Sequence, residues 1–207
     1  MIQPDINRRG ALFSMLGSLL WIASWVIVSF VGGGSRSERL WRTVLLNPAM
    51  LLLMAGLAAF HRRQADRSGR LGKTGFVVCV LGMGTILLGN VIEFWVSEYF
   101  YGTQTPGWVI MGVGFMMLPA GFLLLGLGTL TAKVFAGWRR AVPLAFGLLL
   151  AVMKLITVFG SQYWLPDPSD AVGIALGWMA LGYALWSEKT SSSDSHIPAS
   201  GNVTVSR

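Results

Sequence analysis

The sequence predicts an all-α integral membrane protein, a bundle of about six transmembrane helices. Three observations predict this class. Of the 207 residues, 54 % are hydrophobic and only 12 % are charged, whereas soluble domains carry roughly 25 % charged residues. The mean hydropathy is +0.61. Finally, the apolar residues form long runs separated by short polar stretches, which is the pattern of membrane spans rather than of a soluble core.

Each predicted span is a run of apolar residues, since a helix needs roughly 20 of them to cross the hydrocarbon core. The second and last runs are short, and the remaining four are long enough. A short segment, residues 1–10, precedes the first span, and a Ser-rich stretch without apolar periodicity, residues 187–207, is expected to be a disordered cytoplasmic tail. The predicted spans are residues 11–31, 44–60, 76–97, 108–132, 141–160 and 170–186.

The basic residues predict the orientation of these spans. The third loop, about residues 98–106, and the fifth, about 161–170, contain no Lys or Arg. Because basic residues concentrate in cytoplasmic loops, both termini are expected in the cytoplasm, and we expect the plasma (inner) membrane as the location. The basic residues lie before the first span and in the second and fourth loops: Arg8, Arg9, Arg62, Arg63, Arg67, Arg70, Lys73, Lys133, Arg139 and Arg140.

The first loop departs from this rule. It carries Arg36, Arg39 and Arg42 but should face outward. We interpret residues 37–42 as the start of the second helix, lying at the membrane interface with its arginine side chains reaching the headgroups. Trp108 is predicted to belong to the interfacial aromatic belt on the outer side.

Charge and motif content limit the classes of function. The net charge of +7 is assigned to loops beside membrane spans, so the lipid bilayer and not nucleic acid is the expected partner. The histidines, His61 and His196, lie outside the predicted spans, which argues against histidine-held haem or zinc. Cys79 is the single cysteine, so no internal disulfide can form. We expect no cofactor and no metal, and an enzyme is disfavoured.

Two ionisable residues inside predicted spans form the candidate polar site. Glu93 in the third span and Lys154 in the fifth lie at similar predicted depths, roughly 6–10 Å below the outer helix ends, so an ion pair between them is allowed. Each of them shares its helix face with two polar neighbours, which lie three and four residues away from Glu93 and three and seven residues away from Lys154. Polar residues on one helix face are typical of a helix contact or of a cavity lining. The candidate site is Glu93, Lys154, Asn90, Ser97, Thr157 and Ser161.

Three classes of function remain open. The favoured one is a structural or interaction protein, or an accessory membrane subunit, that meets other membrane proteins or itself through Gly-rich helix faces. The second is a small transporter or channel-like protein that uses Glu93 and Lys154, which a weak repeat of spans three and four in spans five and six would favour. The third is a membrane enzyme acting on lipid, for which the sequence offers no catalytic set.

Overall fold

The computed structural model describes residues 3–31, 42–93, 106–160 and 168–187. Within these ranges the secondary structure is helical, without strands, and the predicted all-α class is confirmed. A π-helical turn, Arg42–Leu46, leads into the second helix, and a 3₁₀ turn, Gly137–Ala141, leads into the fifth. The helices are α1 (Gln3–Val31), α2 (Asn47–Gln64), α3 (Gly69–Val91), α4 (Pro106–Ala132), α5 (Val142–Gly160) and α6 (Pro168–Trp186).

Most of the described helices have the length and composition of membrane spans. Five stretches of the described residues are long and apolar enough to cross a bilayer, and Ala171–Trp186 of α6 is a shorter apolar helix. The outer surface of the bundle is also apolar: Leu51, Leu155 and Leu176 each expose more than half of their surface. Since soluble proteins rarely expose such surface continuously, this bundle is suited to contact with a lipid bilayer. The five long stretches are Asn7–Ile27, Thr43–Gln64, Gly69–Val91, Pro106–Ala132 and Gly137–Thr157.

The six helices form two layers of three. In one layer α1 packs between α2 and α6, and in the other α4 packs between α3 and α5. Consecutive helices run antiparallel, and α6 returns to lie beside α1. The ends that carry most of the basic residues therefore meet at one end of the bundle, called the basic end below: the start of α1, α3 and α5 and the end of α2, α4 and α6.

Glycines allow close approach within a layer. A Cβ atom on Gly75 or Gly89 of α3 would collide with the backbone of α4, and one on Gly126 of α4 would collide with the backbone of α5. In lipid, helix association depends on such close van der Waals packing, because the surrounding acyl chains are as apolar as the side chains. Glycine is therefore what permits α3 and α4 to pack against each other over most of their length.

Large aromatic side chains fill the space between the layers. Phe122 of α4 packs against Trp178 of α6 with ring centroids 5.3 Å apart and nearly perpendicular rings. Phe146 of α5 contacts both rings, at 4.6 Å and 5.8 Å. Nearer the opposite end, Trp21 of α1 meets Phe115 of α4 edge to face at 6.3 Å. These aromatic rings form a large part of the contact between the two layers.

The basic residues of the second predicted loop lie mostly on helices. Arg62 and Arg63 belong to the last turn of α2, and Arg70 and Lys73 to the start of α3, whereas the connection itself is a short turn around Arg67. The amides of Arg67 and Ser68 both donate to the carbonyl of Gln64 and close this turn. Arginine and lysine have good helix propensity, so the helices continue past the apolar segment. The predicted interfacial segment before Arg42 and the predicted tail from residue 188 onward lie outside the described residues.

Candidate functional site

Glu93 lies two residues beyond the end of α3 and is held against the first turn of α4. Its side chain is buried, with 8 % of the residue exposed. The carboxylate accepts hydrogen bonds from both the backbone N–H and the indole N–H of Trp108. Gly107 makes this contact feasible, because a Cβ atom there would collide with the backbone of Glu93. The acidic group therefore joins the end of α3 to the start of α4.

Asn90 joins the same end of α3 to α2. Its side-chain N–H donates a hydrogen bond of 2.7 Å to the side-chain oxygen of Asn47, the first residue of α2. Asn90 is buried, and the bond crosses from one layer of the bundle to the other. The sequence pattern predicts Asn90 as a site residue but not Asn47, although a lone amide at the start of an apolar run is itself a signal for an interhelical hydrogen bond.

Lys154 lies on α5 and directs its ammonium group at an aromatic ring of α4. Only 7 % of the residue is exposed, and Nζ lies 5.3 Å from the centroid of the Phe115 ring. Phe115 also packs edge to face against Trp21, so the cluster extends from α5 through α4 to α1. A cation over an aromatic face is stabilised by the negative ring quadrupole, by about 2 kcal/mol when the cation is desolvated.

Glu93 and Lys154 therefore contact the same face of α4 at two levels. Trp108 and Phe115 are seven residues apart, which is two helical turns and about 10 Å along the axis. The described contacts of the two ionisable groups are with these aromatic residues. A direct ion pair between Glu93 and Lys154 stays a prediction.

Of the hydroxyl residues of the candidate site, the structure describes only Thr157. Thr157 donates a hydrogen bond of 3.0 Å from Oγ1 to the carbonyl of Met153 on its own helix. Its side chain is half-buried. Ser97 and Ser161 lie outside the described residues, so their part in the site stays a prediction.

The polar groups brought together here are two amides, a carboxylate, an ammonium group and an indole N–H. Within the part of the chain that the structure describes, no three His, Cys, Asp or Glu side chains come close enough to hold a metal ion. The arrangement can hold helices together, and it can also offer charge and hydrogen bonds to a polar solute.

Neither known protein families nor curated proteins nor solved structures match this chain. The contacts of Glu93, Asn90 and Lys154 are therefore the features of this chain that bear most directly on its role.

Proposed function

We propose that the chain crosses the plasma (inner) membrane six times, with both termini in the cytoplasm. Two observations support this. Helix α6 is 19 residues long and packs against α1 as closely as α2 does, so it belongs to the same bundle as the other five helices. The basic helix ends also meet at one end of the bundle, and positive charge favours the cytoplasmic side.

Thiol labelling on intact cells tests this topology. In a Cys79→Ala background, a cysteine at Ala136, in the exposed turn after α4, should resist a membrane-impermeant reagent. A cysteine at Thr103, in the predicted third loop, should be labelled. Labelling of the first and protection of the second would reverse the proposed orientation.

We infer that the protein is a structural or interaction component of the membrane, an accessory subunit rather than an enzyme. The observation that supports this most is the way Glu93 and Lys154 are engaged by α4. The carboxylate has two hydrogen bonds from one tryptophan, and the ammonium group faces a phenylalanine ring. Such partners offset part of the cost of burying a charge, and they fasten α3 and α5 to the central helix of their layer.

Neutralising each charge tests this role. Glu93→Gln should lower the free energy of unfolding by about 1 kcal/mol, since a charge-assisted hydrogen bond becomes a neutral one. Lys154→Met should lower it by up to about 2 kcal/mol through loss of the cation–π contact. Lys73→Met, an exposed lysine at the start of α3, is the matched control and should change it by less than about 0.5 kcal/mol. Recovery in the Glu93→Gln, Lys154→Met double variant would identify a direct pair.

Equal or higher stability of both neutral variants would contradict the structural role. Natural binding sites often carry charges at a cost in stability, so removing them then stabilises the protein. That result would favour the second candidate, a small transporter or channel-like protein.

One observation favours this second candidate. Polar groups are concentrated at the end of the bundle opposite the basic end, where Asn47, Asn90 and Glu93 lie. Lys154 lies nearer the middle of the bundle. Ionisable residues in membrane spans commonly mark solute pathways. In the detergent-solubilised protein with the Cys79→Ala background, a cysteine at position 93 or 154 should react with a charged thiol reagent as fast as one at Ala136 if water reaches the site. Slow reaction at both positions favours the structural role.

A further inference from the structure

A groove between α1 and α2 opens at the basic end of the bundle, far from Glu93 and Lys154. Its volume is about 270 Å³. The groove has a floor of glycine and alanine, one aromatic wall and two arginines. The residues that line it are Arg9, Gly10 and Phe13 of α1 with Ala55, Ala58, Ala59 and Arg62 of α2.

The groove exists because small residues bring the two helices close together. A Cβ atom at Gly10 would collide with the side chain of Ala59. Ala55 is exposed and Ala58 is half-buried, so no long side chain of α2 covers this part of the helix surface. Beside it, Leu12 and Leu16 of α1 expose 43 % and 49 % of their surfaces. The floor of the groove is therefore continuous with the apolar surface that suits a bilayer.

Both arginines are exposed and line this groove from different helices, Arg9 from α1 and Arg62 from α2. A guanidinium group offers a planar set of donors that matches phosphate oxygens. Basic pockets between membrane helices at the headgroup level are suited to anionic lipids. We propose that the groove binds one anionic phospholipid, with its phosphate between Arg9 and Arg62 and an acyl chain along the alanine floor.

Charge complementarity selects this occupant over a second copy of the chain. A symmetric dimer through this face would bring the arginines of two grooves together, and like charges at a contact oppose association. An anionic headgroup instead brings a negative charge to the two arginines. The proposal concerns a site separate from Glu93 and Lys154, so it stands whichever role that site has.

A lipid titration tests the two arginines. The full-length protein, purified in a neutral detergent with phosphatidylcholine, is titrated with phosphatidylglycerol, and the Kd is measured by native mass spectrometry. Arg9→Gln and Arg62→Gln should each weaken binding about fivefold, the effect of one basic residue near a membrane surface. Arg140→Gln, an exposed arginine at the same end outside the groove, is the control and should bind as the wild type does. Equal weakening in all three variants would overturn the proposal, because it indicates unspecific attraction to the basic end.

Filling the groove tests the acyl chain independently of charge. Ala55→Leu keeps both arginines and should weaken phosphatidylglycerol binding at least fivefold, whereas Ala145→Leu, at an exposed alanine of α5, should not. Unchanged binding by Ala55→Leu would overturn the proposal. So would full competition by inorganic phosphate at lipid-like concentrations, which would show that the site takes the headgroup alone. A change of oligomeric state in Ala55→Leu, measured by light scattering without a change in lipid Kd, would instead identify a second copy as the occupant.

Discussion

Replacing Gly75 by alanine probes the contact between α3 and α4. A Cβ atom at this position would lie 2.7 Å from the carbonyl oxygen of Gly121 and 2.8 Å from the carbonyl carbon of Leu124, and closer still to the amide nitrogen of Leu125. All three atoms belong to the backbone of α4, so no side chain can rotate to make room. The two helices must therefore separate locally, and their van der Waals contacts weaken.

The size of the effect follows from two opposing contributions. Inserting one methyl group into a packed contact costs about 1–3 kcal/mol. At Gly75 the cost should be near ~3 kcal/mol, because the atoms that must move belong to the backbone. Alanine regains about 1 kcal/mol over glycine in helix propensity. The net loss in the free energy of unfolding is therefore about 2 kcal/mol. Gly84, on the same helix, has no atom within 4 Å of an added Cβ, so Gly84→Ala should be neutral or stabilising by up to about 1 kcal/mol.

Unfolding in mixed micelles with increasing dodecyl sulfate measures this difference, with the fluorescence of the nine tryptophans as the probe. The two variants should differ by about 2–3 kcal/mol. If Gly75→Ala is as stable as Gly84→Ala, α3 and α4 do not approach at Gly75, and the glycine account of this layer is refuted.

Three further predictions test other parts of the bundle. The thiol of Cys79, which is fully buried, should react with a maleimide only after unfolding, and reaction in the folded protein would contradict its place between α3 and α4. Trp178→Ala should lower the free energy of unfolding by about 3 kcal/mol, which is near the low end for such a change because lipid removes the hydrophobic driving force. The control is Trp186→Ala, at a tryptophan with 47 % exposure, which should lower it far less in the same unfolding assay. Asn47→Ala, Asn90→Ala and the double variant should show a coupling energy of about 0.6–1.7 kcal/mol, and additive effects would mean that no hydrogen bond joins these amides.

The fold class could be predicted from the sequence because lipid imposes a simple rule. A chain segment in hydrocarbon must satisfy its backbone hydrogen bonds internally, so each apolar run is read as a helix. The helix ends could not be predicted in the same way. Arg63 and Arg70 interrupt the apolar pattern but continue the helices, because a helix can extend into water where basic residues are favourable.

The polar site could be predicted only in part. Glu93, Asn90 and Lys154 stand out because polar residues in apolar runs are costly. Their contacts could not be predicted, because helical periodicity gives the face of a residue and not the helix that covers it. Trp108 illustrates this: its position in the sequence predicts an interfacial residue, and the structure adds its hydrogen bonds to Glu93.

The sequence suggests that spans three and four are repeated in spans five and six, but the helices of the two hairpins pack differently. Helices α3 and α4 meet through glycines and backbone atoms along most of their length. Helices α5 and α6 touch less, where Phe146 and Met153 reach Gly177 and Gly173. Matching residue spacing in two apolar stretches therefore does not translate into matching helix contacts.

The buried charge of Glu93 holds helices together through its hydrogen bonds with Trp108. A double-mutant cycle with Glu93→Met and Trp108→Phe measures this most directly, because the second change removes the indole N–H and keeps an aromatic ring. We expect a coupling energy of about 1–2 kcal/mol, the range for a buried interhelical hydrogen bond to a charged group. A coupling near zero, with Glu93→Met as stable as the wild type, would contradict it and would direct attention to solute binding at this site.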